Sequence, residues 1–230
     1  MRQATAAVAT LGMVALAGCT SSPSANRADP QALLGRAKST LDATSAVRFT
    51  LSSSGVGGGG LALVGGMGDV ARPAAFRGTL MLSQAGASLD VKVISVGGTV
   101  YAQLPFTNGY TPVKPSEFGV SDPGRLIDPN TGITSLLTSA NSATTAPSDR
   151  YQGQSLDEVH ITLPAARVAS VLDTTQRSGE VKGTVGIDPT SHQLRRVVLT
   201  GPLLDKEKSV TYTLVLEDYG EKVTIAAPPT

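Results

Sequence analysis

Residues 76–104 read FRGTLMLSQAGASLDVKVISVGGTVYAQL, and this stretch decides the fold class. Apolar residues recur at every second position, which is the period of a β-strand with one buried face. Turn residues separate the runs at short intervals, so the stretch predicts consecutive antiparallel hairpins. The three runs are Phe76/Gly78/Leu80/Leu82, Leu89/Val91/Val93 and Val100/Ala102/Leu104.

The same alternation returns on both sides of this stretch, between segments with helical spacing. Asp29 and Pro30 fit the cap and first position of a helix that reaches about Ala46. A second apolar stripe of helical spacing runs from Ile133 to Ala140, and a short helix opens at Pro164. About ten strands and three to five helices without a βαβ rhythm predict an α+β fold with an antiparallel sheet. The other predicted strands start at Val47 and Val159 or cover 181–187, 193–200, 210–216 and 223–226.

The composition is that of a folding chain with balanced charge. Of the 230 residues 40% are hydrophobic and 16% are charged, which argues against disorder. Nineteen basic and eighteen acidic residues form no block of one sign, which argues against nucleic-acid binding. One cysteine and two histidines exclude a disulfide framework and a zinc site built mainly from Cys and His. We expect no metal and no cofactor.

The motifs that suggest catalysis lack the context they need. Gly55–Gly60 matches G-x-G-x-x-G, but residues 61–66 do not open the helix that a dinucleotide site requires, so a flexible hairpin loop is expected. His160 lies at a polar position of its strand, His192 lies in a polar turn, and neither follows a G-x-S-x-G elbow. We therefore expect no enzyme; an envelope hydrolase would need a nucleophile within hydrogen-bond reach of either histidine.

The first residues form a processing signal. The apolar run before residue 18 is too short to span a membrane and fits a signal peptide at 1–18. It ends in Leu16-Ala17-Gly18-Cys19, which resembles a bacterial lipobox and implies a diacylglyceryl and N-acyl anchor on Cys19. Residues 19–29 would be a flexible tether, and the protein would lie on the outer face of the inner membrane. A buried cysteine after a chance apolar run is the alternative.

Three segments behind the lipobox resemble one known family in their order. Residues 126–137 resemble its L-[DN]-P-x-x-G turn and following helix, 185–194 resemble a pair of strands, and 218–225 resemble its last strand. Gly186 and Tyr219 stand where that family commonly has Trp. In this arrangement the chain resembles the mycobacterial lipoproteins LppX, LprA, LprF and LprG.

The resemblance implies both a fold and a function. It implies a curved antiparallel half-barrel packed on helices, similar to carriers of the LolA and LolB type, with residues 30–230 as a single lipid-binding domain. An apolar cavity would hold the acyl chains of a glycolipid or triacylglycerol. The LprG branch also implies cooperation with a major-facilitator efflux transporter.

Residues of the quoted stretch are candidates for the cavity wall. One set of alternating positions would form the wall, and the 133–137 stripe would cover or gate its mouth, although alternation alone does not say which sheet face is concave. A solid core fits the same periodicity, so a structural or adaptor lipoprotein that supports an envelope transporter stays the alternative. The predicted residues are Phe76, Leu80, Leu82, Leu89, Val91, Val93, Ile133, Leu136 and Leu137.

Overall fold

The computed structural model describes residues 28–57, 60–118 and 120–229, and most of its strands form one open, curved antiparallel sheet. The predicted signal peptide, Cys19, most of the tether, and Gly58 and Gly59 of the glycine run lie outside these residues. The strands are β1 Ala46–Ser54, β2 Ala62–Ala71, β3 Ala75–Gln84, β4 Ala87–Val96, β5 Thr99–Gln103, β6 Thr111–Val113, β7 Ser142–Thr145, β8 Asp149–Tyr151, β9 Gln154–Pro164, β10 Glu180–Ile187, β11 Leu194–Gly201 and β12 Val210–Glu217.

Strand order explains how the two halves of the chain meet. Neighbouring strands run β6-β5-β4-β3-β2-β1-β12-β11-β10-β9-β7, and β8 pairs with β9. The α-helices of the described ranges contribute to the core on one face of the sheet, which we call the inner face; they are α1 Pro30–Asp42, α2 Thr134–Leu137 and α3 Ala165–Leu172. Short 3-10 helices cover Pro115–Phe118 and Pro123–Arg125. The predicted α+β class with a curved antiparallel sheet is confirmed.

Helix α1 begins where its capping residues indicate. The Asp29 carboxylate accepts hydrogen bonds from the backbone N–H groups of Gln31 and Ala32, at 3.4 and 3.2 Å. The helix ends at Asp42 rather than near Ala46, and the Arg72 guanidinium donates to the Leu41 carbonyl in its last turn and to the Thr44 carbonyl just after it. None of the helices in the described ranges is long and apolar enough for a membrane span.

Strands β2, β6, β7 and β8 were not predicted, the strand predicted at 223–226 was wrong, and one helical stripe was only partly right. Strand β2 was missed because Gly65, Gly66 and Gly68 interrupt its alternation, and glycine is depleted in strands. Residues 223–226 form no strand; Arg77 on the outer face of β3 approaches the Thr224 carbonyl at 3.5 Å, so this segment crosses that face instead of joining a sheet edge. The stripe from Ile133 forms a single α-turn.

Glycines on the inner face let large rings lie flat against the sheet. Phe49 pairs with Gly68, and Gly68 pairs with Gly78 on the next strand. A Cβ atom at Gly68 or Gly78 would come within 2.5 or 2.7 Å of the Phe76 ring. This ring stacks on Phe49 with 5.6 Å between centroids. The glycines therefore keep aromatic bulk close to the backbone.

On the outer face, an ion pair fills the space beside a glycine. Gly186 pairs with Glu158 on one side and Arg196 on the other, and these two side chains meet with 2.9 Å between Oε1 and Nη2. Arg196 also donates to Asp149 and covers the Tyr151 ring. Burial raises the pKa of Glu158, and the Arg196 charge opposes that shift. The space that a larger residue would take at Gly186 is occupied by this ion pair.

Gly78→Ala is expected to lower the free energy of unfolding by about 1–3 kcal/mol, because the added methyl group displaces the Phe76 ring and presses on the β2 backbone. Gly109→Ala is the control, since no atom lies within 4 Å of its added methyl group. Urea denaturation of both variants measures the difference. Equal free energies of unfolding for Gly78→Ala and Gly109→Ala would show that the packing of Phe76 does not require glycine at position 78.

Candidate functional site

The described residues form a partly open cavity of about 790 Å³ above the inner face of the sheet. Its floor comes from strands that are distant in sequence and adjacent in the sheet. Leu214 of β12 pairs with Leu51 of β1 on one side and with Val197 of β11 on the other, which makes a continuous apolar row. The apolar floor and wall residues of the strands are Phe49, Leu51, Leu63, Leu80, Val100, Val113, Val197, Leu199, Tyr212 and Leu214.

Tyr212 ties two parts of this floor together. Its hydroxyl donates to the Leu63 carbonyl at 2.7 Å, so the polar end of the ring is satisfied by the backbone of β2. Burial raises the pKa of Tyr212 to about 12. The residue therefore offers the cavity an apolar ring while its proton stays bound at neutral pH.

The covering loop, residues 120–133, lies over this floor, and the Asp128 carboxylate holds its second turn together. Asp128 accepts from the N–H groups of Asn130 and Thr131 at 2.9 and 2.8 Å, and these bonds lower its pKa. Gly132 is needed at the end of this turn because a Cβ atom there would collide with the Leu126 and Asp128 backbone. The turn directs Ile133 to the cavity wall.

Helix α1 holds the covering loop in place. The Lys38 ammonium donates to the Pro129 carbonyl at 2.7 Å and to Asp42 at 2.6 Å. Asp42 in turn accepts from the Thr134 hydroxyl at 3.0 Å. The loop that covers the cavity is thus part of the packed structure.

The rim of the cavity is polar where the floor is apolar. Exposed charged or hydroxyl side chains line it just after β6, along the covering loop and at the end of α3. An apolar interior with a polar, water-accessible rim suits a ligand with an apolar body and a polar head. The exposed rim residues are Lys114, Ser116, Ser121, Arg125, Thr131 and Ser170.

A second, smaller cavity of about 30 Å³ adjoins the first one under β3, β4 and β5. The two cavities share six wall residues, so one apolar region extends from the floor to the β6 side of the sheet. The shared residues are Leu80, Val100, Val113, Pro115, Val120 and Pro123.

The predicted wall residues fall into three groups. Leu80 and Ile133 line the large cavity; Leu82, Val91 and Val93, with Leu80 again, line the small one. Neither wall includes Phe76, Leu136 or Leu137, which are fully buried in the core, or Leu89, which is 38% exposed.

The largest part of the floor was missed by sequence reasoning. Leu51, Leu214 and Val197 lie on strands that alternation does predict, but nothing in the sequence says that β12 pairs with β1. That pairing joins residues far apart in the chain. Once it is known, the same alternation identifies the floor.

The two histidines lie apart from the cavity and from each other. His160 is exposed on β9, and His192 is half-buried in the turn before β11, 3.5 Å from the Arg36 guanidinium. In the described part of the chain, no serine or threonine hydroxyl is hydrogen-bonded to either ring. Neither histidine is therefore paired with a serine or threonine nucleophile among these residues.

Comparison with known proteins identifies the family. The sequence profile of the LppX_LprAFG lipoprotein family matches residues 29–225. The chain belongs to this family. The resemblance inferred from the sequence is therefore confirmed.

Relatives of the LppX_LprAFG family share both sequence and fold with the chain. The lipoarabinomannan carrier protein LprG of Mycobacterium tuberculosis is 28% identical over 176 residues, which cover 74% of this chain and 70% of LprG. LprF from Mycobacterium bovis superposes with a TM-score of 0.72 at 19% identity and covers 87% of this chain and 97% of its own. LppX from M. tuberculosis gives 0.63 at 18% identity, with 85% and 97% covered.

Tyr212→Phe is expected to cost about 1 kcal/mol of unfolding free energy at pH 7, because the Leu63 carbonyl loses its donor. The cost should shrink at alkaline pH. An unfolded tyrosine ionises near pH 10 while Tyr212 stays protonated to about 12. The wild type therefore loses up to roughly 1.4 kcal/mol per pH unit between these values through this residue, and the variant does not. Urea titrations from pH 7 to 11 measure the difference, and a constant gap would contradict the account.

Proposed function

We propose that the protein is a membrane-anchored lipoprotein that binds an acylated glycolipid in its cavity and carries it across the cell envelope. The observation that carries this proposal is the apolar cavity of about 790 Å³ with a polar rim, found in a member of a lipoprotein family. The naming of its relative LprG as a lipoarabinomannan carrier supports the same class of cargo.

The cavity volume favours a lipid with two acyl chains. A methylene group takes about the room of one water molecule, roughly 30 Å³, so 790 Å³ holds about 25 methylene groups. Two chains of a membrane lipid carry a similar number, whereas the three chains of a triacylglycerol exceed it. We therefore place a diacyl glycolipid first and a triacylglycerol second.

Such a lipid needs a protein to cross water. Exposing about 30 methylene groups costs on the order of 24 kcal/mol, since each contributes about 0.8 kcal/mol. The apolar row of Leu51, Leu214 and Val197 would surround the acyl chains with apolar side chains, as the membrane interior does. The sugar head would remain at the rim, where Lys114 and Arg125 can bind its hydroxyl or phosphate oxygens.

The anchor and the partner belong to the same proposal. Acyl chains on Cys19 would hold the protein to the outer face of the inner membrane, and two or more chains suffice for stable attachment. A major-facilitator efflux transporter is the partner that the family resemblance implies. A structural adaptor with a solid core would not need an open apolar cavity.

Leu214→Trp tests the cavity directly. The indole would occupy the centre of the floor and displace several methylene groups, so affinity for a fluorescent diacyl glycolipid should fall at least about tenfold. Val171→Trp, which narrows the cavity from the half-buried side of α3, should give a weaker loss without altering a central strand.

Thr213→Trp is the matched control, because it lies on the same strand and on the other face. Near-ultraviolet circular dichroism and thermal melts establish that each variant folds. Equal lipid binding by folded Leu214→Trp, Val171→Trp and wild-type proteins would overturn the proposed function.

A further inference from the structure

The tip of the β5–β6 hairpin presents a large apolar side chain to water. Phe106 is fully exposed, at 105% of its reference area, and its φ angle is +69°. Bulky residues rarely adopt this left-handed conformation. Among the exposed apolar side chains at this end of the sheet, Phe106 has the most apolar area to bury.

The hairpin tip is held in this conformation by its own hydrogen bonds. The Thr107 backbone N–H and hydroxyl both donate to the Leu104 carbonyl, at 3.2 and 2.7 Å. The Gln103 side-chain amide donates to the Thr107 carbonyl at 3.2 Å. The turn therefore fixes the Phe106 ring pointing away from the protein.

The hairpin also carries no charge. From Val93 to Val113 the sequence has no Asp, Glu, Lys, Arg or His, and the flanking charges are Lys92 and Lys114. Tyr101 and Tyr110, which suit the boundary between water and hydrocarbon, lie within it. A lipid surface accepts such an uncharged aromatic tip, whereas a protein partner is usually selected by charge at the rim of its interface.

The apolar surface continues from this end of the sheet into the interior. Leu89, 38% exposed, pairs with Leu82, which lines the small cavity together with Ala102 of β5. The small cavity shares Val100 and Val113 with the large one. Because β4 and β5 are antiparallel, with Lys92 opposite Gln103, Leu89 lies at the same end of the sheet as the hairpin tip.

We propose that the β5–β6 hairpin docks on a lipid bilayer with Phe106 inserted, at the end of the sheet where Leu89 is also exposed. This inference rests on the proposed function for the cargo. The docking surface itself is independent of which lipid the cavity holds.

A single-tryptophan experiment tests the docking. The chain has no Trp, so Phe106→Trp makes a unique reporter at the tip, and Met67→Trp makes one at a 59% exposed site on the outer face of β2. Both full-length variants are mixed with phosphatidylcholine vesicles. We expect the emission of Phe106→Trp to shift to shorter wavelength and to be quenched by brominated lipids, and that of Met67→Trp to stay unchanged.

Any lipid anchor is common to both variants, so it cannot produce a difference between them. Unchanged emission of Phe106→Trp with vesicles would overturn the docking proposal. A shift that depends on protein concentration and needs no vesicles would also overturn it, because the tip would then bind a second copy.

A transfer assay separates this proposal from the proposed function. Phe106→Asn keeps a residue that tolerates positive φ, and should slow lipid transfer to acceptor vesicles about tenfold while the amount of bound lipid is unchanged. Met67→Thr is the control and should transfer at the wild-type rate. A wild type that binds no lipid refutes the proposed function, whereas wild-type transfer by Phe106→Asn refutes the docking.

Discussion

The pairing of β1 with β12 is the constraint on which the rest of the structure depends. It joins the hairpins of the first half of the chain to the strands of the second half, with Leu51 opposite Leu214. Without it the floor of the cavity would be divided between two smaller sheets. Hydrogen bonds between distant segments therefore create the apolar surface that a ligand could use.

Glycines shape the cavity together with the residues that line it. Gly68 and Gly78 let the buried Phe76 ring stack close to the backbone against Phe49, and Phe49 in turn lines the cavity. Gly132 lets the covering loop turn tightly over the floor. On the outer face, the missing side chain of Gly186 leaves room for Glu158 and Arg196 to meet.

The sequence predicts local elements well and distant pairings poorly. Period-two alternation identifies β1, β3, β4, β5 and the strands from β9 to β12, and Asp29 with Pro30 identifies the start of α1. It fails at β2, where glycines serve packing rather than a turn, and at the short strands β6, β7 and β8, which it does not identify. It also fails at 223–226, where the apolar segment crosses the outer face of β3 instead of pairing with an edge strand. Leu80 and Ile133 could be assigned to the cavity, but Leu214 and Val197 could not, because their role depends on which strands become neighbours.

Native mass spectrometry of the wild-type chain purified from its own cell envelope tests the central claim most directly. The account predicts one discrete added mass per chain, removable by organic extraction and identified by fragmentation as a lipid with two acyl chains. A chain that carries no extractable lipid, both as isolated and after incubation with envelope lipids, would contradict it.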